Sequence, residues 1–182
     1  MKHEIKTCQC EINDIDITFE TIYSKPYISP GILKEIKNAN VLLIPEENFR
    51  DDGDVLFPET TIEFYTYLKE KLPKDAIVDI AISNNDFQRI ELHSDAVIVT
   101  TIIINSFLYN VICSVIASYL YDLAKKYLKK TTELSAKVQI IVEETENKKS
   151  KIIKYEGPVS EVEKFLSSAT KNIFKDEAND NK

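Results

Sequence analysis

His93 and Asp95 stand on either side of Ser94. In an extended segment, side chains two apart share a face. An imidazole beside a carboxylate can act as a general base. A second chemically capable group is EENFRDDGD, from Glu46 to Asp54, directly after an apolar stretch. Ligand sites in open α/β sheets lie beyond the carboxyl ends of strands. Asp51, Asp52 and Asp54 carry the hard oxygen ligands that Mg²⁺ or Ca²⁺ prefers, although DDGD lacks the EF-hand spacing. A third group is Cys8 and Cys10 with His3, which could hold zinc but fall short of its four ligands. The plain alternatives are a structural polar pair for His93 and Asp95 and a solvated acidic loop for 46–54.

The motifs that would strengthen an enzymatic reading are missing. There is no GxSxG nucleophile turn and no HExxH metal motif. Only three glycines occur, Gly31, Gly53 and Gly157, whereas phosphate-cradling loops need several for close backbone approach. GxGxxG and GxxxxGK[ST] are both absent. No cofactor is expected, with Mg²⁺ or Ca²⁺ at the acidic loop as the alternative.

The elements that must position these residues follow from periodicity. EINDIDITFETIY, 11–23, has Ile15, Ile17 and Phe19 at a period of two and predicts a strand. Ser29-Pro30 opens a short helix over 32–39. NVLLIPEE, 40–47, predicts a buried strand closed by Pro45. A helix over 60–72 follows Pro58, with Ile62, Tyr65, Leu68 and Leu72 on one face. AIVDIAIS, 76–83, predicts another strand, and FQRIELHS, 87–94, a short one. AKVQIIVEE and SKIIKYEG predict a hairpin over 136–157. Pro158 then opens a helix with Val159, Val162, Phe165 and Leu166 on one face. The expected class is α/β or α+β: a small parallel or mixed sheet with flanking helices, a long apolar helix, and a C-terminal hairpin plus helix. The expected division is an α/β region over 1–95, a helix–hairpin–helix region over 96–175, and a disordered polar tail over 176–182.

AVIVTTIIINSFLYNVICSVIASYLY, Ala96 to Tyr121, holds no charged residue and is long enough to span a bilayer. Its first part is β-branched and suits a strand. From Asn105 a helical projection puts Phe107, Leu108, Val111, Ile112, Val115, Ile116, Tyr119, Leu120 and Leu123 on one broad side. Ser106, Asn110, Ser114, Ala117, Ser118 and Tyr121 fall on the other and lead into Asp122, Lys125 and Lys129. A helix half buried in a domain requires that continuity; a lipid-facing helix gains nothing from it. Asn105 and Asn110 would also be costly in hydrocarbon. The expectation is a core helix, with a membrane span as the alternative. The small residues Ser106, Asn110, Cys113, Ser114, Ala117 and Ser118 would let a second backbone approach closely. Self-association through the face that carries Ser106, Asn110, Ser114, Ala117, Ser118 and Tyr121 is therefore expected.

Hydrophobic residues make up 43% and charged residues 29% of the 182, an ordinary globular balance, and the net charge is -7. An acidic chain repels phosphate backbones, so no nucleic-acid partner is expected. The lysine clusters are short: Lys125, Lys126, Lys129 and Lys130, which suit a helix C-terminus, and Lys148, Lys149 and Lys151 in a hairpin turn. Three cysteines argue against a disulfide scaffold. MKHEIKTCQC lacks the apolar run of a secretory leader, so a cytoplasmic location is expected.

An apolar helix, the hairpin VQIIVEETENKKSKIIKYEG and the capped helix PVSEVEKFL follow one another over 100–170. This succession resembles the small effector-associated modules of bacterial conflict (anti-phage) systems. The resemblance implies a non-enzymatic adaptor that couples sensor to effector by protein contact. It does not extend to 1–95. Two other readings stand beside it: a metal- or ligand-dependent enzyme or sensor using 46–54 with His93 and Asp95, and a membrane-associated effector spanning at 96–121.

Overall fold

In the computed structural model, residues 8–48, 53–91, 94–127 and 134–173 are described. In chain order the elements are β1 (Gln9–Ile15), α1 (Phe19–Tyr23), α2 (Pro30–Ile36), β2 (Val41–Leu43), β3 (Glu46–Glu47), β4 (Val55–Pro58), α3 (Thr61–Lys71), β5 (Val78–Ile80), β6 (Arg89–Ile90), β7 (Ala96–Ile98) and β8 (Ile102–Asn105). A 3₁₀ turn (Ser106–Leu108) then leads into α4 (Tyr109–Tyr127), β9 (Ser135–Glu143), β10 (Ser150–Pro158) and α5 (Val159–Ile173). Seven strands form one mixed sheet in the order β1-β10-β9-β8-β2-β5, with β7 also on β9. Strands from both halves of the chain are therefore neighbours in one sheet. β3, β4 and β6 form a small separate sheet.

Two parallel pairs decide the layering. β8 runs parallel to β9, and β2 parallel to β5. Parallel neighbours need a crossover, usually a helix lying on the sheet. α4 is that crossover for β8 and β9, and α3 lies between β2 and β5 in the chain. The central strands are buried on both faces and accordingly read as continuous apolar runs. Val41, Leu43, Ile102, Ile104, Ile140, Val142 and Ile153 face the larger core with α3, α4 and α5. Leu42, Ile103, Ile141 and Ile152 face a second core with Phe19, Ile22 and Ile36 of α1 and α2. The apolar stretch from Ala96 is thus two short strands followed by a crossover helix.

α4 is held from below and from both sides. Leu108, Ile112, Ile116, Leu120 and Leu123 are buried, and truncating one such residue to alanine costs roughly 2–5 kcal/mol. Tyr109 donates its hydroxyl hydrogen bond to the Leu166 carbonyl of α5 at 2.9 Å. The Tyr119 ring packs on Phe64 and Tyr67 of α3, at centroid distances of 5.0 and 5.2 Å. Tyr67 also donates to Asp122 at 3.0 Å. By length and hydropathy, Ser106–Tyr127 could cross a membrane, yet 56% of its most apolar window is buried inside this fold.

The structure departs from the sequence expectations at several elements. Glu46–Glu47, expected within a loop, is a strand paired with β4, and among the described residues of 87–94 only Arg89–Ile90 forms a strand. Phe19–Tyr23 is a helix and not the end of a strand: Thr18 accepts from the Thr21 N–H and Thr21 returns the bond, a reciprocal cap. In α3 the buried residues are Thr61, Phe64 and Leu68, while Ile62 is 45% exposed. Cys113 of α4 is buried, as a core thiol, but Val111 of α4 and Phe107 of the 3₁₀ turn before it, expected on the buried side, point out. The 176–182 tail lies outside the described residues.

Glu143 ends β9 and is buried there. Its side chain is only 2% exposed. It accepts the Phe19 N–H at the start of α1 at 2.6 Å, and Lys148 Nζ stands 3.4 Å away. Across the hairpin sits Ser150, buried, whose hydroxyl has no hydrogen-bond partner among the described residues. Removing the acceptor strands a buried N–H, whereas removing an unpaired hydroxyl strands nothing. Glu143→Ala should therefore lower stability by about 1–3 kcal/mol in urea unfolding. Ser150→Ala should leave the midpoint unchanged or raise it. Equal losses for the two would contradict this account.

Candidate functional site

Among the described residues, no element covers one face of α4 and of the 3₁₀ turn before it. Phe107 is 61%, Val111 40% and Tyr121 57% exposed, and Asn110, Ser114 and Ser118 between them are exposed too. Phe107, Val111, Ser114, Ser118, Tyr121 and Lys125 follow one another at alternating steps of four and three. From Val111 onward, within α4, that is the spacing of a heptad seam, and Phe107 precedes it in the 3₁₀ turn. The middle of the seam is small, Ser114 and Ser118, and its ends are bulky. Lys125 Nζ lies 4.4 Å from the Tyr121 ring centroid, which holds that ring at the end of the seam. Asn110 receives a hydrogen bond from Thr170 of α5 at 3.4 Å. Ser106 and Ala117 are half-buried beside the seam. The face named from sequence is thus brought together, and Phe107 and Val111 join it. Those two were missed because an apolar residue on an amphipathic helix is assigned to the core by default.

The acidic loop is divided. Asp51 and Asp52 lie outside the described residues, and Asp54 is exposed next to Gly53. Glu46 and Glu47 are already engaged. Lys25 pairs with Glu47 at 2.9 Å and Tyr27 donates to it at 3.1 Å, while Thr101 reaches Glu46 at 3.4 Å. Burial, with Glu47 beside it, raises the Tyr27 hydroxyl well above its usual value. Among the described residues no three His, Cys, Asp or Glu side chains gather as a metal site.

His93 lies outside the described residues. Asp95 is exposed at the rim of a cavity of about 260 Å³. Its walls include Pro58, Ile90, Val97, Leu123 and Tyr127, with Glu59 as a second carboxylate. Apolar walls with a few polar groups can seat a small molecule.

Cys8 and Cys10 are exposed and Cys113 is buried; His3 lies outside the described residues. Comparison with family models, with curated proteins and with solved structures finds no match to this chain.

The cysteines differ in what they can do. Burial pushes the Cys113 thiol up to about 12. It stays protonated across the neutral range, and the protonated thiol is not the nucleophile. Iodoacetamide at pH 8 should therefore label Cys8 and leave Cys113 untouched until the chain is unfolded in urea. Peptide mapping checks this, and labelling of Cys113 in the folded chain at the rate of Cys8 would contradict it.

Proposed function

We propose that this chain is a non-enzymatic assembly module that pairs with a second copy of itself through the outer face of α4. The observation that carries the reading is the seam of Phe107, Val111, Ser114, Ser118 and Tyr121, which no described element covers while the sheet, α3 and α5 pack the other sides. A two-fold pairing is self-complementary: the same patch serves both copies. In an antiparallel arrangement centred between Ser114 and Ser118, the small residues let the helices close together. Phe107 and Val111 of one copy then meet Tyr121 and Lys125 of the other. One helix face is small against the roughly 1,200–2,000 Å² of a stable interface, so the pairing is concentration-dependent. The likeness of 100–170 to effector-associated modules supports placing this assembly in a bacterial defence system, where contact between copies couples a sensor to an effector. A cytoplasmic location accords with that role.

A second reading has one observation in its favour. The cavity beside Asp95 and Glu59 offers apolar walls and two carboxylates, a setting for a small cationic ligand and for a sensor. A ligand-dependent rise in melting temperature, lost in Asp95→Asn, would favour it.

Light scattering without detergent tests the first reading. The native chain should form a dimer whose fraction rises with concentration. Ser114→Glu with Ser118→Glu sets like charges against each other across the seam. The double variant should weaken association at least about tenfold, equivalent to about 1.4 kcal/mol, with an unchanged circular dichroism spectrum. A native chain that stays monomeric at high concentration would overturn the proposal, as would recovery only from membranes.

A further inference from the structure

The pair Cys8 and Cys10 is independent of the α4 face. β1 is the edge strand of the large sheet; Cys10 is its second residue and Cys8 immediately precedes it. Both are exposed, and their Sγ atoms lie 3.4 Å apart. The juxtaposition is built by the sheet. The register sets Cys10 opposite Tyr155 of β10, and the Tyr155 hydroxyl is held by its bond to the Pro158 carbonyl at 2.6 Å. Gly157 is the second support. A Cβ there would stand 3.3 Å from the Cys8 Cα and 3.0 Å from the Tyr155 hydroxyl oxygen. In a chain with only three glycines, one is placed where it lets the Cys8 backbone close on β10. A closed zinc site needs four ligands, and among the described residues no third metal-binding side chain joins the two thiols.

We propose that Cys8 and Cys10 form a thiol–disulfide exchange site whose substrates are small-molecule disulfides of the glutathione type. The Cys8 thiolate attacks one sulfur of the incoming disulfide. That S–S bond breaks, a mixed disulfide forms on Cys8, and the first small thiol leaves as its thiolate. Cys10 then attacks the Cys8 sulfur, its proton passing to a leaving thiolate, and the second small thiol departs. The protein dithiol is oxidised by two electrons and the small disulfide is reduced to two thiols. Desolvation, with the neighbouring Cys8, pushes Cys10 up to about 12. Cys8 stands just before the strand and takes the first attack, and Cys10, seated within β1 opposite Tyr155, resolves it. Strand geometry also sets the character of the product. Cα atoms two apart on a strand are about 6.6 Å apart, close to the upper limit of about 6.8 Å for an ordinary disulfide. The bond can therefore close, and because both sulfurs are exposed it is a labile couple rather than a buried structural cross-link.

The test uses the full chain in buffers of varied oxidised-to-reduced glutathione ratio, quenched by acid, then analysed by intact mass and peptide mapping. The expected result is loss of two hydrogens confined to the peptide with Cys8 and Cys10, reversed by reduced glutathione. Cys10→Ser should stop at one glutathione on Cys8. Cys8→Ser should react at least about tenfold more slowly than Cys10→Ser. Both positions are exposed, so neither variant threatens folding. Two glutathiones retained on one chain, a disulfide-linked dimer through these residues, or no oxidation at any ratio would each overturn the proposal.

Discussion

The parallel pairing of β8 with β9 is the constraint on which the rest of the fold depends. Ile102, Ile103 and Ile104 stand opposite Ile140, Ile141 and Val142, so this pair is apolar on both faces and must be covered on both. Antiparallel neighbours could be joined by a short turn, but a parallel pair cannot. The chain leaves β8 at Asn105 and must return over the sheet to start β9 in the same direction. α4 is the path it takes. That requirement, not hydropathy, turns a charge-free stretch into strand plus crossover helix. α5 and α3 then flank α4, and α1 and α2 close the opposite face. Glu143, at the far end of β9, ties α1 down through a single buried hydrogen bond.

A crossover helix has one face committed to the sheet and one that is free. In most such helices the free face is charged. Here it is charged only past Tyr121, while Phe107 and Val111 keep apolar side chains in water and Ser114 and Ser118 keep a shallow centre between them. Leaving Phe107 and Val111 exposed forgoes roughly 1.5–3 kcal/mol of burial for each fully exposed side chain. A second copy recovers part of that, which is the physical content of the assembly reading. The edge strand β1, on the other side of the sheet's order, carries different chemistry in its two sulfurs. The two features share no residue and stand or fall separately.

Much of the fold was legible from periodicity. The hairpin, α5, β2, α2 and the strand-to-helix change at Asn105 all follow from apolar spacing and from Ser29-Pro30 or Pro158 at helix starts. FETIY was not, because Ile15, Ile17 and Phe19 alternate like a strand while the deciding signal was the reciprocal cap of Thr18 and Thr21. The faces of α3 and α4 were misjudged at Ile62, Phe107 and Val111 for a common reason. Periodicity shows which residues share a side of a helix, but not how wide the buried arc is once two neighbouring helices occupy its flanks. Glu143 was illegible, since a glutamate at a strand end reads as solvent-facing until the strand's neighbours are known. Of the residues with chemical potential, Cys8 and Cys10 show their proximity in their spacing alone. The support from Gly157 is visible only in the register of β1 on β10.

The central claim is that the free face of α4 meets the same face of a second copy, antiparallel. A pulsed electron-resonance distance tests it directly, with a spin label at Lys125→Cys in a chain whose Cys8 and Cys10 are serine. With the two-fold axis midway between Ser114 and Ser118, the labelled positions are separated by roughly 27 Å along the helix axis, at 1.5 Å per residue. A single distance near that value, appearing as concentration rises, is the result the account predicts. No coupling between copies, or a much shorter distance from helices side by side in parallel, would contradict it.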